Sequence, residues 1–412
     1  MIALALAGSL ATLTAGASGE QEKSSRPTVT SPSSGMPVPG SPTRNAVPAP
    51  ESVRTQARVT MSECEPSSDG LTRACLHEVD TDDVEELPVP QNQVSSQTIQ
   101  PLPEFCTKSV DGGFWGTRTQ LCELRRLKYS TERLQNGIWV LTGSASMRIY
   151  PYAYTSTTLP VWAHQIQVSA YFGWGDALNA TVQGEIRFEG NCTRLNSAFP
   201  RQNLSPLHSF KDGEASFETT VRISGAKGAC TTTWDLLFLN GSYTPEKAEY
   251  AMLEIRCDNA TAGTTTIGCV VPWSQPEMYY SRSQYPSLAA HVERAQASGL
   301  PGGQYGYPLT YTTNSAIVDA NRQLACGDAP SIAGLSCDEY PIATSREGLS
   351  AGGTRRTFEG CNFALPGQTG YSGVSVCMIT ATENNAQGGI HTQFNRRERM
   401  LDGDTFRIYI SP

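Results

Sequence analysis

The sequence holds 12 cysteines but no Cys-x-x-Cys pair. That absence excludes zinc ribbons and thioredoxin-type redox motifs, which need two sulfurs at that spacing. The string Gly348-Leu349-Ser350-Ala351-Gly352 has the spacing of a nucleophile elbow but follows no apolar strand run, so a Ser-His-Asp hydrolase has no support. Beyond the N-terminus no run is apolar enough to cross a bilayer, and no membrane span is expected. Charge is scarce, with 17% charged residues and a net charge of −8. Such a chain gains nothing from long-range steering towards nucleic acid or anionic membranes. Any nucleic-acid chemistry must rest on a few local arginines and a bound cation. Lysine is absent between residues 301 and 412, where eight arginines face ten acidic residues.

What is present points to an oxidising compartment. The cysteines fall into six neighbouring couples: Cys64/Cys75, Cys106/Cys122, Cys192/Cys230, Cys257/Cys269, Cys326/Cys337 and Cys361/Cys377. Pairing within couples is the simplest expectation, although spacing alone does not fix connectivity. Ile2 to Ala15 is apolar and Ala15-Gly16-Ala17 resembles a cleavage site, so residues 1–17 read as a signal peptide that lacks a positive start. A length of 412 residues allows two or three domains. Residues 18–60 are rich in Ser and Pro and read as a disordered linker. Residues 61–103 form a short Cys-containing segment, whose run Asp80 to Glu86 reads as a solvated loop. Residues 104–272 alternate apolar and polar positions, as in Ile166, Val168 and Ala170, and read as an antiparallel, sandwich-like all-β domain of unknown ligand.

Residues 273–412 mix two periods. Leu288, Val292 and Ala295 share a helical face, stopped by Gly299 and Pro301. A second helix starts at Asn314 and carries Ile317, Ala320 and Leu324. Val374 to Ile379 reads as a strand covered on both faces. A polar loop, Glu383 to Gly389, then leads into a helix and a closing strand, Phe406 to Ile410.

Several residues there could carry chemistry. Asp338 and Glu339 are adjacent, so on a strand they point apart; the bland expectation is a solvated acidic turn. Glu383 and Asn384 offer hard oxygen ligands suited to Mg²⁺, Mn²⁺ or Ca²⁺. Arg355, Arg356, Arg396 and Arg397 could grip phosphate bidentately. His391 falls on the first turn of the expected helix and reads as a surface or capping residue, and the poverty of histidine argues against zinc. Asp402-Gly403-Asp404 reads as a structural turn.

At Ser336-Cys337-Asp338-Glu339-Tyr340-Pro341, Glu383-Asn384-Asn385-Ala386-Gln387-Gly388-Gly389 and Leu401-Asp402-Gly403-Asp404-Thr405-Phe406, the sequence resembles the NucA/NucB family of secreted bacterial deoxyribonucleases. The likeness covers about residues 275–412 and departs from the family at Ile342, where an aromatic residue is usual. It implies an α+β, ββα-metal-like domain hydrolysing DNA without sequence preference. By that resemblance Asp338 matches the catalytic aspartate, acting as general base, and Glu383 the second essential acid. Glu383 and Asn384 would hold one divalent cation, Mg²⁺ or Mn²⁺ before Ca²⁺. Glu339, Asn384 and Gln387 would support the site, and the four arginines would contact DNA phosphates. Other classes stay open: a secreted adhesion protein whose β-rich part binds a surface polymer or protein and whose nuclease-like domain is inactive, or a delivered antibacterial nuclease toxin.

Overall fold

The computed structural model describes residues 46–54, 59–79, 100–108 and 113–412. The expected signal peptide, most of the expected linker and the acidic run Asp80 to Glu86 lie outside them. No helix among the described residues is long and apolar enough to cross a membrane. Strand dominates, in mostly antiparallel sheets, with helices concentrated towards the C-terminus.

The β-rich part is two sheets sharing one hydrophobic cluster. A nine-stranded sheet includes Ile138–Tyr154, Val161–Gly175 and Lys211–Thr219; a seven-stranded sheet is centred on Lys227–Leu239. Cys230, Thr232, Trp234, Leu236 and Phe238 alternate inward along that last strand, the period of two expected of a half-buried strand. Ile166, Val168 and Phe217 from the first sheet meet Trp234, Leu236 and Phe238 from the second.

Segments expected to lie outside this domain supply strands to it. Val47–Pro48 pairs with Phe114–Gly116, Val59–Met61 with Glu246–Ala251, and Thr72–Glu78 with Arg125–Gln135. The first two are too short to show a period. They gain order from the exposed edges that they cover. All six expected cysteine couples are disulfide-bonded.

The core changes between Trp273 and Met278. From there the elements are β1 (Glu277–Ser281), α1 (Pro286–Ala297), β2 (Leu309–Thr310), α2 (Ser315–Cys326), β3 (Leu335–Tyr340), β4 (Arg355–Arg356), β5 (Val374–Thr380), α3 (Ala381–Arg397) and β6 (Thr405–Ser411). Two three-stranded sheets result, β1-β6-β2 and β3-β5-β4. Helix α1 buries Leu288, Val292 and Ala295, the face its spacing announced. Asn314 caps α2 by accepting from the Ala316 amide. The buried face of α2 is Val318, Asn321 and Ala325, however, one residue on from the expected stripe, and Leu324 is exposed. Asn321 sets this rotation. Its amide nitrogen donates to the Ala343 and Ser345 carbonyls and its oxygen accepts from the Ser350 amide.

Helix α3 begins at Ala381, well before the expected loop ends, and takes in Glu383, Gly388 and Gly389. Each interior glycine costs a helix about 1 kcal/mol relative to alanine. Tertiary anchors offset that cost. Asn384 donates to Ser336 Oγ and the Cys337 carbonyl, and Phe394 is buried against Phe406.

Beyond α3 the chain is clamped to the β-rich part. Asp404 is bracketed by Arg118 at 2.6 Å and Arg256 at 2.5 Å, all three buried. Arg399 is fully buried and donates to both oxygens of Asp258, at 3.0 and 2.9 Å, and to the Thr157 and Thr266 carbonyls. The Asp402-Gly403-Asp404 turn is thus structural. Removing one partner of a buried pair costs about 3–5 kcal/mol, because the other charge stays stranded. Asp404→Ala is therefore expected to lower the thermal midpoint steeply. A surface substitution such as Asp319→Ala leaves it within a degree or two, as differential scanning fluorimetry will read.

Candidate functional site

Antiparallel pairing of β3 and β5 sets Asp338 opposite Cys377, and Tyr340 opposite Ser375. Side chains alternate along each strand, so Asp338, Tyr340, Ser375 and Cys377 share one face. Helix α1 covers that face: Gln296 donates to the Tyr340 hydroxyl at 3.0 Å, and Tyr340 and Cys377 join the cluster of Leu288 and Val292. Glu339 lies on the other face, with Cys337 and Val376, under α2. The two carboxylates do point apart.

Asp338 is no solvated turn residue. It is 2% exposed, and its Oδ2 lies 2.6 Å from His291 Nδ1. His291, on α1, is fully buried, and its Nε2 lies 2.8 Å from the equally buried Ser375 Oγ. The order Ser-His-Asp matches a hydrolase triad. Burial rules out that chemistry, since no substrate carbonyl can reach a fully covered serine in mid-strand. His291 was overlooked at the level of sequence. Its signal was available: it falls on the apolar face of α1, one position before Val292, where a polar ring must find buried partners.

Glu383 stands in the first turn of α3 and reaches the start of α1. Tyr285, the N-cap of α1, makes no side-chain capping bond, and Glu383 Oε2 accepts from the Leu288 amide at 2.9 Å instead. A carboxylate there meets orphan amides and the positive end of the helix dipole. Partial burial pushes its pKa up. Hydrogen bonds from the Leu288 amide and from Ser287 and Thr380 outweigh burial and hold it below the usual glutamate value.

Two further side chains of α3 face inward. Gln387 is buried, and its amide nitrogen has no hydrogen-bond partner. His391 is not on a first turn: it lies half-buried in mid-helix, its ring stacks on buried Tyr280, and its Nε2 bonds the Tyr280 hydroxyl. Burial pushes its pKa down to about 4, against the pull of the Asp338 carboxylate, so the ring is neutral near pH 7.

The four arginines separate. Arg356 departs from the expected phosphate contact. It is 1% exposed, and its guanidinium donates to Ser298, Gly370 and Ser372 carbonyls inside the domain. Arg355 is bound through both terminal nitrogens to Asp328. Arg396 and Arg397 are exposed at the far end of α3. At 1.5 Å per residue they stand about 20 Å along the axis from Glu383.

Among the described residues, the one group of three His, Cys, Asp or Glu with ligand atoms close together is Cys64, Cys75 and His77. Its sulfurs form a disulfide, so it is no metal centre. Near α3 the donors are hard oxygens: ionised Glu383, and Asn384, whose nitrogen is tied to β3 and whose oxygen is left as the donor. One carboxylate and one amide suit a hard cation that keeps much of its water and shares substrate oxygens; they do not suit zinc.

Residues 304–409 match the family model described as Deoxyribonuclease NucA/NucB. This part of the chain is a NucA/NucB-type domain, and it carries Asp338, Glu339, Glu383, Asn384, Gln387 and all four arginines. The matched segment begins after α1, so His291 and the capped helix end lie outside it. No curated protein matches the chain.

Glu339 is the member of the acidic pair that lies under α2. Burial, with the nearby Asp338 charge, pushes its pKa up to about 7. Folding thus favours its protonated form, and the folded chain loses stability as pH rises from about 4.5, the value assigned to a free glutamate, to about 7. Glu339→Gln cannot ionise. It is expected to melt above wild type at pH 8, the gap closing by pH 4.5, as paired thermal melts will read.

Proposed function

We propose that the C-terminal domain is a secreted, metal-dependent endodeoxyribonuclease that hydrolyses DNA phosphodiesters without sequence preference. The observation that carries this reading is the meeting of two carboxylates on one helix. Glu383 binds the Leu288 amide of α1, and Asp338 binds His291 one turn further on. The match to a deoxyribonuclease family and the six disulfides support it.

In this reading Asp338 is the general base. Its Oδ2 is committed to His291, so Oδ1 takes the proton of the water that attacks phosphorus in line with the leaving oxygen. Glu383 and the Asn384 oxygen hold one divalent cation, Mg²⁺ or Mn²⁺. When bound, that ion neutralises phosphate charge and stabilises the leaving 3′-oxygen. Gln387 fills the space beneath α3 and supports the site from within. Arg396 and Arg397 grip phosphates away from the scissile bond. Arg355 joins them only if DNA competes with Asp328, and Arg356 is left to hold the fold.

Nicking of supercoiled plasmid by the full-length chain tests this. Activity is expected with Mg²⁺ or Mn²⁺ and none in excess EDTA. Asp338→Asn and Glu383→Gln are expected to lose about a hundredfold or more, the range of a general base. Either variant nicking at the wild-type rate while folded would falsify its assigned role. Joint replacement of Arg396 and Arg397 by alanine should raise KM and reduce the salt slope of binding by about 2, one unit for each phosphate that the variant no longer neutralises.

A further inference from the structure

We infer that His291 is the positioning residue of this site: held between Ser375 and Asp338, it locks the Asp338 carboxylate so that one oxygen alone is left to act. The inference rests on the nuclease reading above and adds a residue outside the matched family segment.

The case starts from hydrogen-bond arithmetic. An ionised carboxylate only accepts, so Nδ1 of His291 must carry the hydrogen in the 2.6 Å contact to Asp338 Oδ2. The other ring nitrogen, Nε2, meets Ser375 Oγ at 2.8 Å, a hydroxyl that can donate or accept. His291 and Ser375 have no exposed surface, so water does not replace the contact between them. Turning the ring over would set a ring carbon against the carboxylate, and moving its proton to Nε2 would set a lone pair there. The carboxylate thus selects the tautomer, the serine holds the far edge of the ring, and the histidine selects the carboxylate rotamer.

Geometry gives that lock its reach. The terminal torsion of aspartate is soft and broad. Ser375 is fixed by its register opposite Tyr340, and His291 by a helix whose next turn back holds Glu383. The bond to Nδ1 therefore ties the Asp338 carboxylate to the frame that holds Glu383. Misplacing a reacting group by 1 Å can cost about a hundredfold in rate. A buried histidine needed only for packing would be replaceable by any side chain of similar volume; one needed for its Nδ1 hydrogen would not.

Three variants of the full-length chain separate these cases: His291→Leu, His291→Asn and Ser375→Ala. Asparagine places an amide N–H near the Nδ1 position, whereas leucine fills space without a donor. Initial rates on a duplex oligonucleotide with Mg²⁺ give kcat and KM, and thermal melts give the folded fraction. The expected outcome for His291→Leu is a kcat lower by about a hundredfold per folded molecule, with KM within threefold. His291→Asn should regain at least tenfold of that loss, and Ser375→Ala should lower kcat with KM unchanged. Leucine and asparagine variants with equal kcat per folded molecule overturn the proposal, as does wild-type kcat in Ser375→Ala. If His291→Leu does not fold, His291→Asn decides: a kcat within about tenfold of wild type per folded molecule is expected, and a loss of about a hundredfold or more overturns the proposal. A folded wild type that cuts no DNA instead removes the nuclease reading, and the proposal with it.

Discussion

Helix α1 lacks a side-chain cap of its own, and the arrangement of the C-terminal region follows from how that deficit is met. The first amides of any helix need acceptors. Here the acceptor for the Leu288 amide is borrowed from Glu383, on a helix 95 residues later in the chain. That one bond forces the start of α3 against the start of α1. Asn384 ties the same turn of α3 to β3, and the β3-β5 pairing then delivers Asp338 and Ser375 to the covered face of α1. Each interaction is local, but together they leave the acidic groups little freedom relative to one another. The carboxylate that caps the helix is also the group best placed to meet a cation, because its capping bonds keep it ionised.

The β-rich part enters this frame through buried ion pairs. Arg118 and Arg256 reach from it to Asp404, and Asp258 receives Arg399 just after α3 ends. Buried pairs of this kind seldom add much stability over an apolar contact of the same shape. They do penalise any arrangement that separates them. The C-terminal end of α3, where Arg396 and Arg397 stand, is thereby fixed by contacts outside its own core, and the β-rich part is a support for the C-terminal domain.

Much of this was legible in the sequence. Cysteine spacing gave the six couples, the 3.6-residue period gave α1, and Asn314 marked the start of α2. Val374, Val376 and Met378, alternating with Ser375, Cys377 and Ile379, identified β5 as a strand covered on both sides. The failures share one cause. Gly388 and Gly389 argue for a loop by propensity, yet anchors from β1, β3 and β6 hold that stretch helical. Arg356 looks like a phosphate ligand until four acceptors close around it. His291 and the strands before residue 104 become meaningful only once distant partners are in place. Local pattern carries the elements, while long-range partners decide which polar groups are inside.

One consequence concerns handling. Asp338 follows Cys337 in the chain and faces Cys377 across the ladder, so the candidate base sits where two covalent loops meet. Cys326 and Cys337 are half-buried, whereas Cys361 and Cys377 are buried. A thiol reductant, a common additive in nuclease buffers, will open the first bridge before the second. It would release α2 from β3 while the protein still melts cooperatively. Activity measured with and without reductant therefore compares two differently tethered sites, not two degrees of unfolding.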